Sequence, residues 1–133
     1  MSETLDAAEE RLLQALAGSA RGPKRNGVFA LWMLLRACEG VLPPDPLSPR
    51  AHRRRLDGLE RRFTSLSLPG PLKRALASSL KELAEGNGRA AAMALQRLVA
   101  PARETLGGEV ADVIGSAART TKELGLEHAP ATG

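Results

Sequence analysis

Four polar residues fall on or beside the apolar faces of the first three predicted helices: Glu9, Arg36, Glu39 and His52. If those helices pack together, the four side chains converge into a buried polar cluster. The preferred interpretation is structural: Glu9 forms an ion pair with Arg36, and His52 bonds to a backbone carbonyl. The alternative is a site that binds a small molecule or catalyses a reaction.

Positive charge is concentrated in the predicted third helix. The whole chain has a net charge of +4. Residues 48–62 account for this excess, with six arginines and two acidic residues, and the charges in the remainder of the chain balance. Asp57 lies four residues from both Arg53 and Arg61, a spacing that predicts two ion pairs. The arginines opposite the apolar face point to water: Arg50, Arg54 and Arg61. We interpret this face as solvated or as meeting an acidic protein; the alternative is an element that contacts nucleic-acid phosphates.

A glycine-rich basic link, Gly18–Gly27, precedes the second predicted helix. Backbone N–H groups and the dipole at a helix N-terminus suit an anion, so Lys24 and Arg25 are candidate anion-binding residues. The link is not a Walker A loop, because no Lys-Ser or Lys-Thr follows its final glycine and no strand precedes it. A solvated turn is the preferred interpretation.

The usual signatures of enzymes are missing from the sequence. It contains no G-x-S-x-G, H-E-x-x-H, C-x-x-C or G-x-G-x-x-G motif. The lone Cys38 lies in an apolar stretch, which makes it a small buried hydrophobe in a reducing compartment. We therefore predict a protein without catalytic activity, cofactor or metal.

Composition is typical of a globular domain: of 133 residues, 43% are hydrophobic and 26% are charged. The acidic N-terminus is unlike a signal or transit peptide. The longest apolar run, Val28–Leu35, is far shorter than the ~20 residues of a membrane span. We expect a cytoplasmic protein that does not bind membranes.

One apolar helix, predicted over residues 28–39, must organise the elements that position these groups. It holds the only tryptophan, Trp32, and one of two phenylalanines, Phe29. Because only Arg36 and the terminal Glu39 are polar, we predict that other helices cover it on all sides. The complete set of predicted helices covers residues 3–17, 28–39, 49–66, 71–85, 88–106 and 109–124.

These six helices predict an all-α single-domain bundle over residues 1–124. No stretch alternates with the period of two that a strand requires. Pro101 is expected to kink or divide the fifth helix. Residues 125–133 are predicted to form a flexible C-terminal tail.

From Ser48 to Leu124 the positions of the helices and of the breaks between them are similar to those of a known helical domain. The matching segments are Arg54-Arg55-Leu56 with Leu59, Leu66-Ser67-Leu68-Pro69, Lys73-Arg74, Leu80-Lys81-Glu82-Leu83, Ala90-Ala91 and Gln96-Arg97-Leu98. They resemble the helical domain of the steroid receptor RNA activator protein, which is shared with the C-terminus of the COPII outer-coat subunit. The resemblance implies a small helical interaction domain without catalysis. It carries over neither coat assembly nor RNA binding, because no contact residue can be matched.

We predict a non-enzymatic helical interaction module, acting as an adaptor, scaffold or regulatory subunit. Its expected partner is another protein or a second copy of itself in a homodimer. One alternative is a nucleic-acid-binding regulator that uses the basic helix over residues 49–62. The other is an enzyme or small-molecule binder that uses the polar cluster.

Overall fold

The chain folds as six α-helices, which confirms the predicted all-α bundle. The computed structural model describes residues 4–127, with side chains through residue 125, and contains no strand within that range. The helices are α1 (Leu5–Ala17), α2 (Pro23–Glu39), α3 (Pro49–Ser65), α4 (Gly70–Leu83), α5 (Gly88–Leu106) and α6 (Gly108–Glu127). Thr4, Ser48 and Asn87 cap α1, α3 and α5, each accepting a hydrogen bond from a backbone N–H of the first turn.

The second helix begins five residues earlier than predicted, at Pro23 rather than residue 28. Gly22 precedes it with a φ of 144°, which ends the preceding turn, and Pro23 supplies a φ already suited to a helix. Lys24 and Arg25 therefore belong to the first turn of α2 and not to a loop. The predicted link is shortened to the residues between Ala17 and Pro23.

Two predictions about the C-terminal half can be compared with the structure. The fifth helix is not divided at Pro101 but runs from Gly88 to Leu106, so only a kink there stays a prediction. The sixth helix continues past Leu124 to Glu127, so the predicted tail begins too early. Residues 128–133, the remainder of that tail, lie outside the described part of the chain.

The core is built around α2, which contacts α1, α3, α5 and α6. The α5 and α6 helices form the most extensively packed pair. They run antiparallel, as two contacts show: Gly88 lies against Gly125 at one end, and Arg103 pairs with Asp112 at the other. Alanine lines much of this core, so the helix axes approach closely. The largest fully buried aliphatic side chains come from all helices except α3 and include Leu12, Leu31, Leu34, Leu35, Leu72, Leu76, Leu83, Leu95, Leu98, Val113 and Ile114.

The prediction that α2 is covered on all sides is wrong for one face. Phe29, Trp32 and Met33 are only half-buried, and Arg36 is exposed. The physical reason is that α3 lies to one side of α2 and buries only three residues of its own: His52, Leu56 and Phe63. One strip of α2 therefore faces water between α1 and α3.

Gly27 brings α2 close to two other helices. A Cβ atom built on Gly27 would lie 2.8 Å from Leu72 Cδ2 of α4 and 2.9 Å from Leu106 Cδ2 of α5. Such distances force the leucines to move. By contrast, nothing lies within 4 Å of a Cβ atom at Gly58, in the middle of α3.

We expect Gly27→Ala to be less stable than Gly58→Ala by about 1–3 kcal/mol, because both replace a helical glycine but only the first forces two leucine side chains to move. Gly58→Ala is the matched control and should raise the free energy of unfolding by about 0.5–1 kcal/mol, since alanine is the better helix former. Urea unfolding followed by circular dichroism measures both changes. A Gly27→Ala protein as stable as the Gly58→Ala protein would contradict the packing described here.

Candidate interaction surface

The structure brings together three of the four residues of the predicted polar cluster. Arg36 Nη1 lies 3.4 Å from Glu9 Oε1, which confirms the predicted ion pair between α2 and α1. Asp6, which the sequence argument missed, joins Glu9 and Glu39, with carboxylate oxygens within 4.8 Å of one another. The cluster is not buried as predicted, because 53% of the Arg36 side chain is exposed.

The carboxyl of Glu39 is the electrostatically unusual member of this cluster. Partial burial, a hydrogen bond to Glu9 and the negative charges of Glu9 and Asp6 raise the pKa of Glu39 from 4.5 to about 7, and Arg36 opposes the shift. The Glu39 carboxyl therefore holds its proton under mildly acidic conditions and donates a hydrogen bond to the Glu9 carboxylate. This arrangement ties the end of α2 to the beginning of α1.

His52 lies apart from the cluster, against α4. Its Nε2 atom is 2.8 Å from the carbonyl oxygen of Leu83, so Nε2 carries the proton and donates it. This confirms the predicted bond to a backbone carbonyl. His52 also lines an open cavity of about 420 Å³ between α3 and α4, whose lining includes neither Glu9, Arg36 nor Glu39. The cavity and the carboxyl cluster are thus separate features, and a four-residue site does not form.

Cys38 is packed as the sequence predicted. It is fully buried in α2, and its thiol donates a weak hydrogen bond to the carbonyl oxygen of Ala91, at 3.8 Å. Burial, and secondarily the charge of Glu39, raises the pKa of the Cys38 thiol. A thiol kept protonated in this way is a poor nucleophile.

The half-exposed strip of α2 is an aromatic pair enclosed by arginines. The rings of Phe29 and Trp32 stack with their centroids 6.0 Å apart and their planes 14° apart. The Arg36 guanidinium carbon lies 5.2 Å from the Trp32 centroid, and that of Arg62, from α3, lies 5.7 Å from the Phe29 centroid. Both distances are within the range of a cation–π interaction. We call these four residues the aromatic strip.

Two features distinguish the aromatic strip from ordinary core packing. Trp32 and Met33 pack against the hydrophobic core, whereas Phe29 does not. The indole Nε1 of Trp32 is buried without a hydrogen-bond partner. An unsatisfied donor costs free energy, so stability alone does not account for a tryptophan here.

The predicted basic residues of α3 are exposed. Arg50, Arg54 and Arg61 are all exposed, and none of them forms an ion pair with another residue that the structure describes. The predicted pairs of Asp57 with Arg53 and Arg61 are likewise not formed within the described residues. The positive charge of α3 is therefore largely unneutralised. Arg55 differs, because its Nη1 atom donates to the carbonyl oxygen of Arg36 at 3.3 Å and so fixes α3 to the end of α2.

The candidate anion-binding residues at the start of α2 do not converge on one point. Lys24 is exposed, whereas Arg25 is half-buried and its Nη1 atom donates to the carbonyl oxygen of Ser19 at 3.4 Å. Arg25 therefore fastens the preceding turn. The nearby Asn26 side chain donates to the carbonyl oxygen of Ser67, which joins the start of α2 to the end of α3.

Sequence reasoning missed the aromatic strip, although one signal for it was present. Phe29, Trp32 and Arg36 follow the i, i+3, i+7 spacing of a single helix face, so an arginine shares the face of both rings. That spacing marks a face that reaches solvent. Asp6 carried a similar signal, since it lies three residues before Glu9 on the same side of α1.

No protein-family model, curated protein or solved structure matches the chain. The resemblance of residues 48–124 to the steroid receptor RNA activator and COPII helical domains therefore stays a prediction. Across the described residues, no helix combines the length and the apolarity needed to cross a membrane.

The carboxyl cluster predicts a specific dependence of stability on pH. Since the pKa of Glu39 is raised to about 7 in the folded protein, the folded state retains a proton that the unfolded chain releases near its ordinary pKa of 4.5. The free energy of unfolding should therefore fall as pH rises between those two values. Glu39→Gln removes this loss while keeping a hydrogen-bond donor.

We expect Glu39→Gln to match the wild type below pH 4.5 and to exceed it by about 1 kcal/mol above pH 7, with solvent screening limiting the gain. Urea unfolding across this pH range measures the difference. Glu104→Gln, on an exposed part of α5, is the control and should show no such trend. Parallel pH profiles for the wild type and Glu39→Gln would rule out a protonated Glu39.

Proposed function

We propose that this chain is a protein-interaction module that binds an acidic segment of a partner protein at the aromatic strip. The observation that carries the proposal is the placement of the only tryptophan and one of two phenylalanines. Trp32 and Phe29 stack on a half-exposed helix face, with Arg36 and Arg62 over their rings. Tryptophan and arginine are the residue types that most often dominate the binding energy of protein interfaces.

The aromatic strip is organised before any partner arrives. Arg36 is held by Glu9 on one side and by the Trp32 ring on the other, so its side chain has little rotamer freedom left to lose. Less ordering on binding means that more of the contact free energy appears as affinity. The part of Phe29 that is still exposed adds apolar area that a partner can cover, which favours binding.

Charge supports an acidic partner. Besides Arg62, which belongs to the strip, α3 carries four exposed arginines that form no ion pair with a described residue: Arg50, Arg53, Arg54 and Arg61. Their positive charge would attract an acidic segment toward α3. A homodimer through the same surface is less favoured, because a two-fold axis would bring two sets of arginines together.

Nucleic acid is the second candidate partner, supported by the exposure of Arg50, Arg54 and Arg61 on one face of α3. Phosphates would meet those guanidinium groups, and binding would weaken steeply with salt. The surroundings of the rings weigh against this candidate, because the Arg36 guanidinium lies over Trp32 and that of Arg62 lies over Phe29. Bases that stack on these rings would have to compete with the arginines.

We also propose that the protein resides in a reducing compartment such as the cytoplasm, which suits the lone buried Cys38. Absence of catalysis is also part of the proposal, supported by the separation of His52 from the carboxyl cluster and by the protonated thiol of Cys38.

The chain carries its own reporter for a binding test, since Trp32 is the only tryptophan and there is no tyrosine. We would titrate the protein with a short acidic peptide that contains phenylalanine, following Trp32 emission and measuring the Kd by calorimetry. Phe29→Ala should weaken binding about tenfold, equivalent to about 1.4 kcal/mol. Leu47→Ala removes an exposed side chain of similar size at the α3–α4 cavity, away from both the strip and the α5–α6 pair, and should leave the Kd unchanged.

Two results would contradict the proposed function. One is equal affinity of the wild type and Phe29→Ala for the peptide. The other is tighter binding of a DNA duplex that depends on Arg50, Arg54 and Arg61 but not on Phe29, which would favour the nucleic-acid candidate.

A further inference from the structure

A second surface lies on the outer side of the α5–α6 pair, on helix faces that the aromatic strip does not use. It is an open groove of about 760 Å³, lined by Arg89, Ala92, Met93, Gln96, Ala118, Arg119, Lys122 and Gly125. Ala92 and Ala118 are buried at its floor, and 43% of Met93 is exposed. Because the floor side chains are small, the surface is concave rather than flat.

The charges along this groove have a single sign. Arg89 stands on the α5 wall, and Arg119 and Lys122 stand on the α6 wall. All three are exposed, and none forms an ion pair with any residue that the structure describes. The lining contains no carboxylate. The unneutralised cations on both walls call for an occupant with negative charge on both of its edges.

The shape of the groove and its apolar centre indicate which kind of molecule could occupy it. It runs between two antiparallel helices, and the distance along α5 from Arg89 to Gln96 corresponds to about 10 Å, or two helical turns. Met93 projects in the middle, and methionine adapts to differently shaped apolar partners. An amphipathic helix presents this combination, with an apolar stripe for Met93 and the alanines and acidic residues on each side of the stripe.

We propose that the α5–α6 groove binds an acidic amphipathic helix of a partner protein. The apolar stripe of that helix would lie over Ala92, Met93 and Ala118, and its carboxylates would meet Arg89 on one wall and Arg119 and Lys122 on the other. This site is independent of the aromatic strip. A membrane surface is a less suitable occupant, because a concave groove with a single protruding apolar side chain has little area to insert. Nucleic acid would leave Met93 unused.

The chain provides matched probes for the two surfaces. Of its three methionines, Met33 is beside the aromatic strip and Met93 is in the groove, so methyl-labelled methionine gives each surface its own NMR signal. The titrant is a helical peptide with a stripe of leucines and glutamates on each side of that stripe. A scrambled peptide of the same composition keeps the charge and loses the apolar stripe. We expect the helical peptide to shift the Met93 methyl signal and leave that of Met33 in place.

Charge reversal supplies the second part of the test. Arg119→Glu should weaken binding of the helical peptide at least about tenfold, whereas Arg54→Glu, an equal charge change on α3, should change the affinity little. Both arginines are exposed, and circular dichroism checks that each variant folds. The scrambled peptide should also bind at least about tenfold more weakly.

The proposal is overturned if the two peptides bind equally well, if Met33 shifts instead of Met93, or if Arg54→Glu and Arg119→Glu weaken binding to the same degree. It is also overturned if the Met93 signal responds to vesicles containing phosphatidylserine, or to a DNA duplex, and not to the helical peptide. A failure here leaves the aromatic strip untouched, because the peptide titration of Phe29→Ala reports on that surface separately.

Discussion

The burial of α2 is the constraint on which the rest of this structure depends. Seven of its hydrophobic residues are fully or almost fully buried: Val28, Ala30, Leu31, Leu34, Leu35, Ala37 and Cys38. A helix with that much apolar surface is stable only inside a bundle, and four other helices contact it. Alanines on the facing helices and Gly27 on α2 itself permit the close approach that this enclosure requires.

The same constraint creates the exposed aromatic strip. The α1 helix and the α5–α6 pair cover α2 extensively, but α3 contributes few buried residues and is otherwise arginine-rich. Its inner side therefore shields α2 only partly, and the bulky rings of Phe29 and Trp32 occupy the uncovered face. Arginines from both helices lie over those rings: Arg62 from α3, and Arg36 from α2, which is also paired with Glu9 of α1.

Most of the architecture could be predicted from the sequence, because helix periodicity and its punctuation are local properties. Two local signals predicted the bounds of α3 to α6 within a few residues. One is the capping residues Ser48 and Asn87, and the other is the helical spacing of apolar residues. The beginning of α2 could not be found this way, since Lys24–Gly27 is polar and glycine-containing and offers no periodicity. Gly27 looked like a helix breaker, whereas its missing side chain serves a tertiary contact with Leu72 and Leu106.

The candidate site was predictable only in its local parts. The Glu9–Arg36 pair and the carbonyl partner of His52 followed from the need to satisfy polar groups near apolar faces. The separation of His52 from the carboxyl cluster depends on where α3 crosses α2. The exposure of one face of α2 depends on how many helices pack against it. Neither property is encoded in the periodicity of a single helix.

Quenching of Trp32 fluorescence in the free protein tests the central claim most directly, which is that one cation-lined face of α2 is open to solvent. Acrylamide, iodide and caesium would each be titrated, with N-acetyltryptophanamide as the fully exposed reference. Because Trp32 is half-buried and lies under Arg36, we expect acrylamide to quench it less than the reference, and the ratio of iodide to caesium quenching to exceed that of the reference. Emission that none of the three quenchers reduces, or an iodide-to-caesium ratio no higher than that of the reference, would contradict the account.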